Sequence, residues 1–155
     1  MDGPGGSGKT YLYKVLLSYV RGSNRTALAF ATTGIASTLL RGGATMHSGF
    51  KLPIVMTETS SALLGRSTAQ ANQIIDAVLI VIDEASAMNR HSLRCIDKLL
   101  AELMEPDNQA RAAFGRKVII LGGDFRHTLP IVPREKRARA IDTTIKAAAQ
   151  WLFWL

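Results

Sequence analysis

Cysteine is almost missing from this chain: Cys95 is its one example. No internal disulfide can form, so the fold must rest on packing, and a reducing compartment fits weakly. Cys95 falls in an apolar helical stripe, which favours a packed core thiol over a reactive one. Long apolar runs are also lacking. The longest, Ala77–Ile82, is six residues, far below the roughly 20 needed to cross a bilayer. No membrane partner is therefore expected, and no leader is expected ahead of a first motif that opens almost at Met1. Acidic residues are scarce beside basic ones, 12 against 19, giving a net charge of +7 and a pI near 10.0. Internal repeats and low-complexity segments are absent as well.

What is present describes a globular domain. At 155 residues, 47% hydrophobic and 20% charged, the chain reads as one domain with a sizeable core. The positive charge is spread out. Residues 1–77 hold seven Lys/Arg against three Asp/Glu, and residues 78–155 hold twelve against nine. A polyanionic partner such as nucleic acid is consistent with that balance.

The segment Gly3-Pro4-Gly5-Gly6-Ser7-Gly8-Lys9-Thr10 fits G-x-x-x-x-G-K-[ST], a loop that wraps nucleotide phosphates. Glycine allows dihedrals that a Cβ forbids and lets the backbone approach the phosphates. The amides then form a nest of donors in front of a helix N-terminus. Lys9 would reach the β- and γ-phosphates, and the Thr10 hydroxyl would hold Mg²⁺. A Gly-rich surface turn is the plain alternative.

The order of elements supports the first reading. Leu12, Val15, Leu16, Tyr19 and Val20 recur at helical spacing after Thr10, and Gly22 and Asn24 end that helix. Ala27–Ala31 reads as a buried strand and Thr33–Leu40 as a helix broken by Gly42-Gly43. Residues 51–69 read as a surface excursion, and Ala69–Asp76 as a helix. Val78–Ile82 is a β-branched strand suited to burial on both faces. Leu93, Ile96, Leu99, Leu100 and Leu103 mark a long amphipathic helix stopped by Pro106. Lys117–Leu121 is a further buried strand. Strands alternating with helices imply a parallel sheet covered on both faces, an α/β fold.

Asp83 and Glu84 follow the strand Val78–Ile82, where a ligand crevice opens in such sheets. Two adjacent carboxylates there call for a cation. Asp83 would hold Mg²⁺, while Glu84 would orient and deprotonate an attacking water. The alternative is an acid pair placed for a helix dipole. The next strand ends in Gly122-Gly123-Asp124-Phe125-Arg126-His127 and points at the same crevice. Its polar groups either sense the γ-phosphate or form a turn with a local Asp124–Arg126 ion pair and a half-buried His127.

Five segments in this order, Gly3–Thr10, Ala31–Ser37, Gly43–Pro53, Ile82–Ser86 and Gly122–Pro130, resemble the petite-integration-frequency DNA helicases. These form a branch of helicase superfamily one that includes Helitron-type helicases. The first and fourth segments are shared by many NTPases; the third and fifth are much more specific. The resemblance implies a P-loop NTPase domain with a RecA-like sheet, lacking most of its first strand, and ATP with Mg²⁺ as cofactors. It also implies 5′-to-3′ movement on single-stranded DNA, unwinding at duplex junctions, and service in DNA repair, recombination and telomere maintenance in the nucleus or mitochondrion. Lys9, Thr10, Asp83 and Glu84 match its ATPase positions, and Arg126 and His127 stand as further candidate catalytic residues beside them. Thr32, Thr33 and Gly34, with Thr45, His47 and Ser48, match segments that line the DNA path or couple it to the nucleotide. Hydroxyls and amides bind phosphates without reading sequence, which suits a motor. Helix capping is a second role that the Thr32–Gly34 run can play at the same time. Met46, Met56, Met88 and Met104 read as core filling. Arg134, Lys136, Arg137 and Arg139 suit either a DNA backbone or a solvated helix face.

The chain departs from that family at three points. The family usually has a γ-phosphate-sensing glutamine where His127 stands; histidine can still donate a hydrogen bond, but its different shape and charge state bear on the coupling of hydrolysis to movement. Only Met1 and Asp2 precede the phosphate loop, and the chain stops at the apolar Trp151–Leu155. A second RecA-like domain, which supplies an arginine to the γ-phosphate, has no counterpart. The expectation is a first motor domain clipped at both ends, binding ATP weakly and not unwinding DNA alone. Another P-loop enzyme, such as a kinase or AAA-type ATPase, or a non-catalytic nucleotide-binding fragment, are the competing readings.

Overall fold

A computed structural model of the chain describes residues 1–104, 112–126 and 145. Among the described residues, the β-branched and aliphatic runs form four strands: β1 (Thr26–Ala31), β2 (Ala44–Thr45), β3 (Ala77–Asp83) and β4 (Val118–Leu121). All pair in parallel, in the order β2-β1-β3-β4. The helices are α1 (Lys9–Gly22), α2 (Gly34–Thr38), α3 (Met46–Phe50), α4 (Ala69–Asp76) and α5 (Arg90–Met104), with 3₁₀ turns at Ala85–Ala87 and Ala113–Arg116.

The side-chain alternation of β3 divides the interior. Leu79 and Val81 point to one face, where Tyr13 and Leu17 of α1 join Ala27, Ala29 and Leu40. Ile80 and Ile82 point to the other, where Phe30, Phe50, Ile74, Leu93, Ile96 and Leu100 gather. Ile145 packs into this second cluster. Burial on both faces requires the continuous apolar run of β3, as in other parallel sheets. Cys95 is buried here as a packed thiol, and burial pushes its pKa up. Met46 and Met88 are buried and Met56 packs against the same cluster.

Three local assignments differ from the sequence expectation. The inward stripe of α1 is Tyr13, Leu16, Leu17 and Val20, while Leu12, Val15 and Tyr19 are exposed. Both stripes have helical spacing, and only packing against the sheet chooses between them. The helix after β1 is Gly34–Thr38 rather than Thr33–Leu40, because Thr33 is its N-cap, accepting from the Ala36 amide at 3.3 Å. The segment around His47 contains β2 and α3, which periodicity missed because both are short.

The start of the chain is tied to the sheet beside β4. Asp2 bridges Gly123 in parallel, the Met1 ammonium donates to the Leu121 carbonyl at 2.8 Å, and the Gly3 amide donates to the Gly123 carbonyl at 3.2 Å. Met1–Gly3 thus pairs with the sheet through one isolated bridge just ahead of the phosphate loop. Residues 51–68 lack regular structure but are not wholly on the surface as expected: Leu52 is buried in the second cluster, and Met56, Ala62 and Leu64 pack against it. Basic groups of α5 hold it: Arg94 donates to the Glu58 carbonyl and Lys98 to the Ser61 hydroxyl. No described helix is long and apolar enough to cross a membrane.

Candidate nucleotide site

The loop Gly3–Thr10 turns into α1 through Gly6 (φ 77°) and Gly8 (φ 85°), conformations that any side chain would strain. Gly8 is the N-cap of α1 and no side chain caps the helix. Its first amides therefore face the loop and are available to an anion. The Lys9 ammonium folds back over the loop, donating to the Gly3 carbonyl and, at 2.9 Å, to the Pro4 carbonyl.

A cleft of about 540 Å³ opens above this loop. Gly5 to Tyr11 line one side, Asp83, Glu84, Ser86 and Ala87 another, with Ala36, Leu39, Gly123 and Asp124 at the remaining edges. Its volume is that of small-molecule sites. Lys9 and Thr10, some 75 residues before Asp83 and Glu84 in sequence, thus meet them around one space.

The acid pair is held from several sides. Asp83 is buried, and that burial raises its carboxyl above the ordinary range; the neighbouring Glu84 adds to the rise, while its own bond from the Glu84 amide (2.8 Å) and the Lys9 charge oppose it. A buried carboxylate beside open space is one that a cation would favour. Glu84 is exposed and has φ 55°, ψ 30°. The Thr32 hydroxyl donates to its carbonyl at 3.0 Å, and the Thr33 hydroxyl to its Oε2 at 2.8 Å. The Thr32 amide also donates to the Asp83 carbonyl at 3.2 Å.

The other expected residues fall as follows. Ala31 pairs with Thr45 across β1 and β2, so Thr32–Gly34 and Thr45–Ser48 leave adjacent strands at the same sheet edge. Thr45 caps α3 by accepting from the Ser48 amide, His47 is half-buried, and Ser48 is exposed. Asp124 lines the cleft, and Arg126 makes the local ion pair with it at 3.8 Å without itself lining the cleft. His127, Thr128–Pro130, Arg134, Lys136, Arg137, Arg139 and Trp151–Leu155 lie outside the described residues.

One group near the site had no sequence signal. Tyr13 is fully buried, and its hydroxyl has no hydrogen-bond partner among the described residues. A Cβ on Gly122 would sit 1.5 Å from that oxygen. Gly122 is therefore required for space. Burial, then the nearby Asp83 charge, raises the Tyr13 phenol.

A parallel sheet whose carboxyl edge joins a glycine phosphate loop to a hydroxyl and an acid pair defines a P-loop nucleotide-binding domain of the RecA-like class. The chain belongs to the PIF1-like helicase family, whose model matches residues 1–153. It is 28% identical over 141 residues to ATP-dependent DNA helicase Pif1 of Psychrobacter sp., covering 90% of this chain and 21% of that protein. It is similar to unliganded Pif1 from Bacteroides sp. (27% identity, TM-score 0.74, 97% of this chain and 34% of that one). It is also similar to Bacteroides Pif1 in complex with ADP-AlF3 and ssDNA (28%, TM-score 0.75, 93% and 33%). The chain thus spans about a fifth of the length of that curated relative and a third of those solved chains.

Proposed function

We propose that this domain binds and hydrolyses ATP with Mg²⁺ and, as the first motor domain of a DNA helicase, couples hydrolysis to 5′-to-3′ movement on single-stranded DNA. The observation that carries this reading is the convergence of Lys9, Thr10, Asp83 and Glu84 on one cleft, with the Thr32-Thr33 loop bonded to Glu84. The donor set fits the cofactor. Mg²⁺ takes few protein ligands and completes its shell with phosphates and water, and here one hydroxyl residue, Thr10, and one buried carboxylate, Asp83, line the same cleft as the loop that would hold those phosphates. Thr10 and Asp83 would hold the ion, which when bound neutralises phosphate charge.

In this reading the loop amides and Lys9 bind the β- and γ-phosphates, and Lys9 exchanges its carbonyl partners for phosphate oxygens. Glu84 accepts a proton from the attacking water. Asp124, at the edge of the cleft, senses the γ-phosphate together with Arg126, its ion-pair partner, and with His127, next in sequence. Thr32, Thr33, Gly34, Thr45, His47 and Ser48 contact the DNA backbone. The wider roles that go with this activity are DNA repair, recombination and telomere maintenance in the nucleus or mitochondrion. A second RecA-like domain supplies an arginine, a group worth 10³–10⁵ in rate in NTPases that use one. Alone, the domain binds ATP weakly and does not unwind duplexes.

The test joins the domain to a second RecA-like domain and measures ATP turnover with and without oligothymidylate. Stimulation by the oligonucleotide, abolished by Lys9→Ala and by Glu84→Gln, is expected. Turnover indifferent to single-stranded DNA would refute the helicase assignment while leaving the nucleotide site standing.

A further inference from the structure

A threonine hydroxyl has one proton to donate, and the proton of Thr33 is already engaged. It points to Glu84 Oε2 at 2.8 Å, while the same oxygen accepts from the Ala36 amide and caps α2. A DNA phosphate is an acceptor only, so a bond from this hydroxyl to a phosphate needs that same proton. The two bonds exclude each other. Thr33 and Glu84 are both exposed, so the exchange requires no unfolding. The Glu84 backbone is held separately, by the Thr32 hydroxyl on its carbonyl and by its own amide on Asp83 Oδ1. The carboxylate is the part that the Thr33 bond restrains.

We propose that Thr33 is a positioning residue whose single hydroxyl proton passes between the Glu84 carboxylate and a backbone phosphate of single-stranded DNA. This inference rests on the reading that the Thr32–Gly34 loop contacts DNA. DNA that takes the Thr33 proton frees Glu84 to turn toward the attacking water. Conversely, a nucleotide that draws Glu84 away leaves Thr33 free for DNA. The coupling is reciprocal, as binding linkage requires, and it gives DNA stimulation of hydrolysis a defined atom.

The test is a binding cycle on the chain, using fluorescein-labelled oligothymidylate at one fixed salt concentration, since charge effects depend on salt. Affinity is measured for the unmodified chain, Glu84→Ala, Thr33→Val and the double variant. Removing the Glu84 charge tightens DNA binding in either background. The proposal expects the tightening to be larger by roughly threefold or more when Thr33 is present, because only then does a competitor for its proton disappear. Thr33→Ser should keep this excess. Thr33→Asp, which retains a capping oxygen without the hydroxyl proton, should lose it, separating the effect from a lost helix cap. Equal tightening in the Thr33 and Thr33→Val backgrounds would overturn this inference alone. Absence of oligonucleotide binding in every variant, with nucleotide binding intact, would overturn it together with the DNA reading.

Discussion

Glu84 and Asp83 are adjacent residues in opposite situations, one exposed in a left-handed backbone conformation and one buried. The left-handed conformation of a non-glycine residue costs on the order of 1 kcal/mol or more, and the bonds from Thr32 and Thr33 hold it. Asp83 carries a different cost. Because burial raises its folded-state pKa, the folded chain binds that proton more tightly than the unfolded chain does. Its contribution to stability is thus present at low pH and lost as pH rises through the raised folded value. Asp83→Asn should therefore raise the melting temperature of the ligand-free chain at neutral pH, flatten this part of the pH dependence, and weaken Mg²⁺-dependent nucleotide binding. Calorimetry across pH and titration with a fluorescent ATP analogue check both halves. The Tyr13 hydroxyl makes a similar case. Removing a buried polar atom that has no partner among the described residues relieves its desolvation, so Tyr13→Phe should stabilise the chain by about 1 kcal/mol in urea unfolding. A loss of stability instead would mean that a partner, such as an ordered water, satisfies the oxygen.

At the level of elements, α3 is the piece most dependent on close approach. Gly49 lies where a Cβ would come within 2.1 Å of the Phe30 ring, and Phe30 and Phe50 meet with centroids 4.5 Å apart. Gly49→Ala should cost roughly 1–3 kcal/mol, the usual range for overpacking, and loosen the Thr45–Ser48 segment that α3 carries. Hydrogen exchange of the α3 amides would report it. Elements with long, regular patterns were legible from sequence: β3 and α5 lie where the β-branched run and the leucine spacing put them, and α4 has the expected bounds Ala69–Asp76. The shorter α2 and α3 were not fully legible, because a five-residue helix carries too few positions to show a period. Their starts are set by Thr33 and Thr45 as caps. The stripe of α1 was ambiguous for a different reason, since apolar residues occupy both of its faces.

Across the whole molecule, β3 lies between the two cores and carries Asp83 at its end, so packing and site share one strand. Ile80→Ala should cost about 2–5 kcal/mol and weaken nucleotide binding with it. Ligand linkage gives a complementary measurement. Mg²⁺-ATP should raise the melting temperature in proportion to the logarithm of its concentration once that exceeds Kd, and Lys9→Ala should abolish the shift. The sequence by itself determined the phosphate loop, the acid pair and the alternation of strands and helices. These are local: glycine dihedrals, neighbouring carboxylates and side-chain period are properties of contiguous residues. Only the tertiary structure decided that the Thr33 hydroxyl binds Glu84, that Met1–Gly3 anchors on Gly123, and that Gly122 makes room for Tyr13. Each of these joins residues distant in the chain, and sheet order and helix packing, which no single segment encodes, set the distances between them.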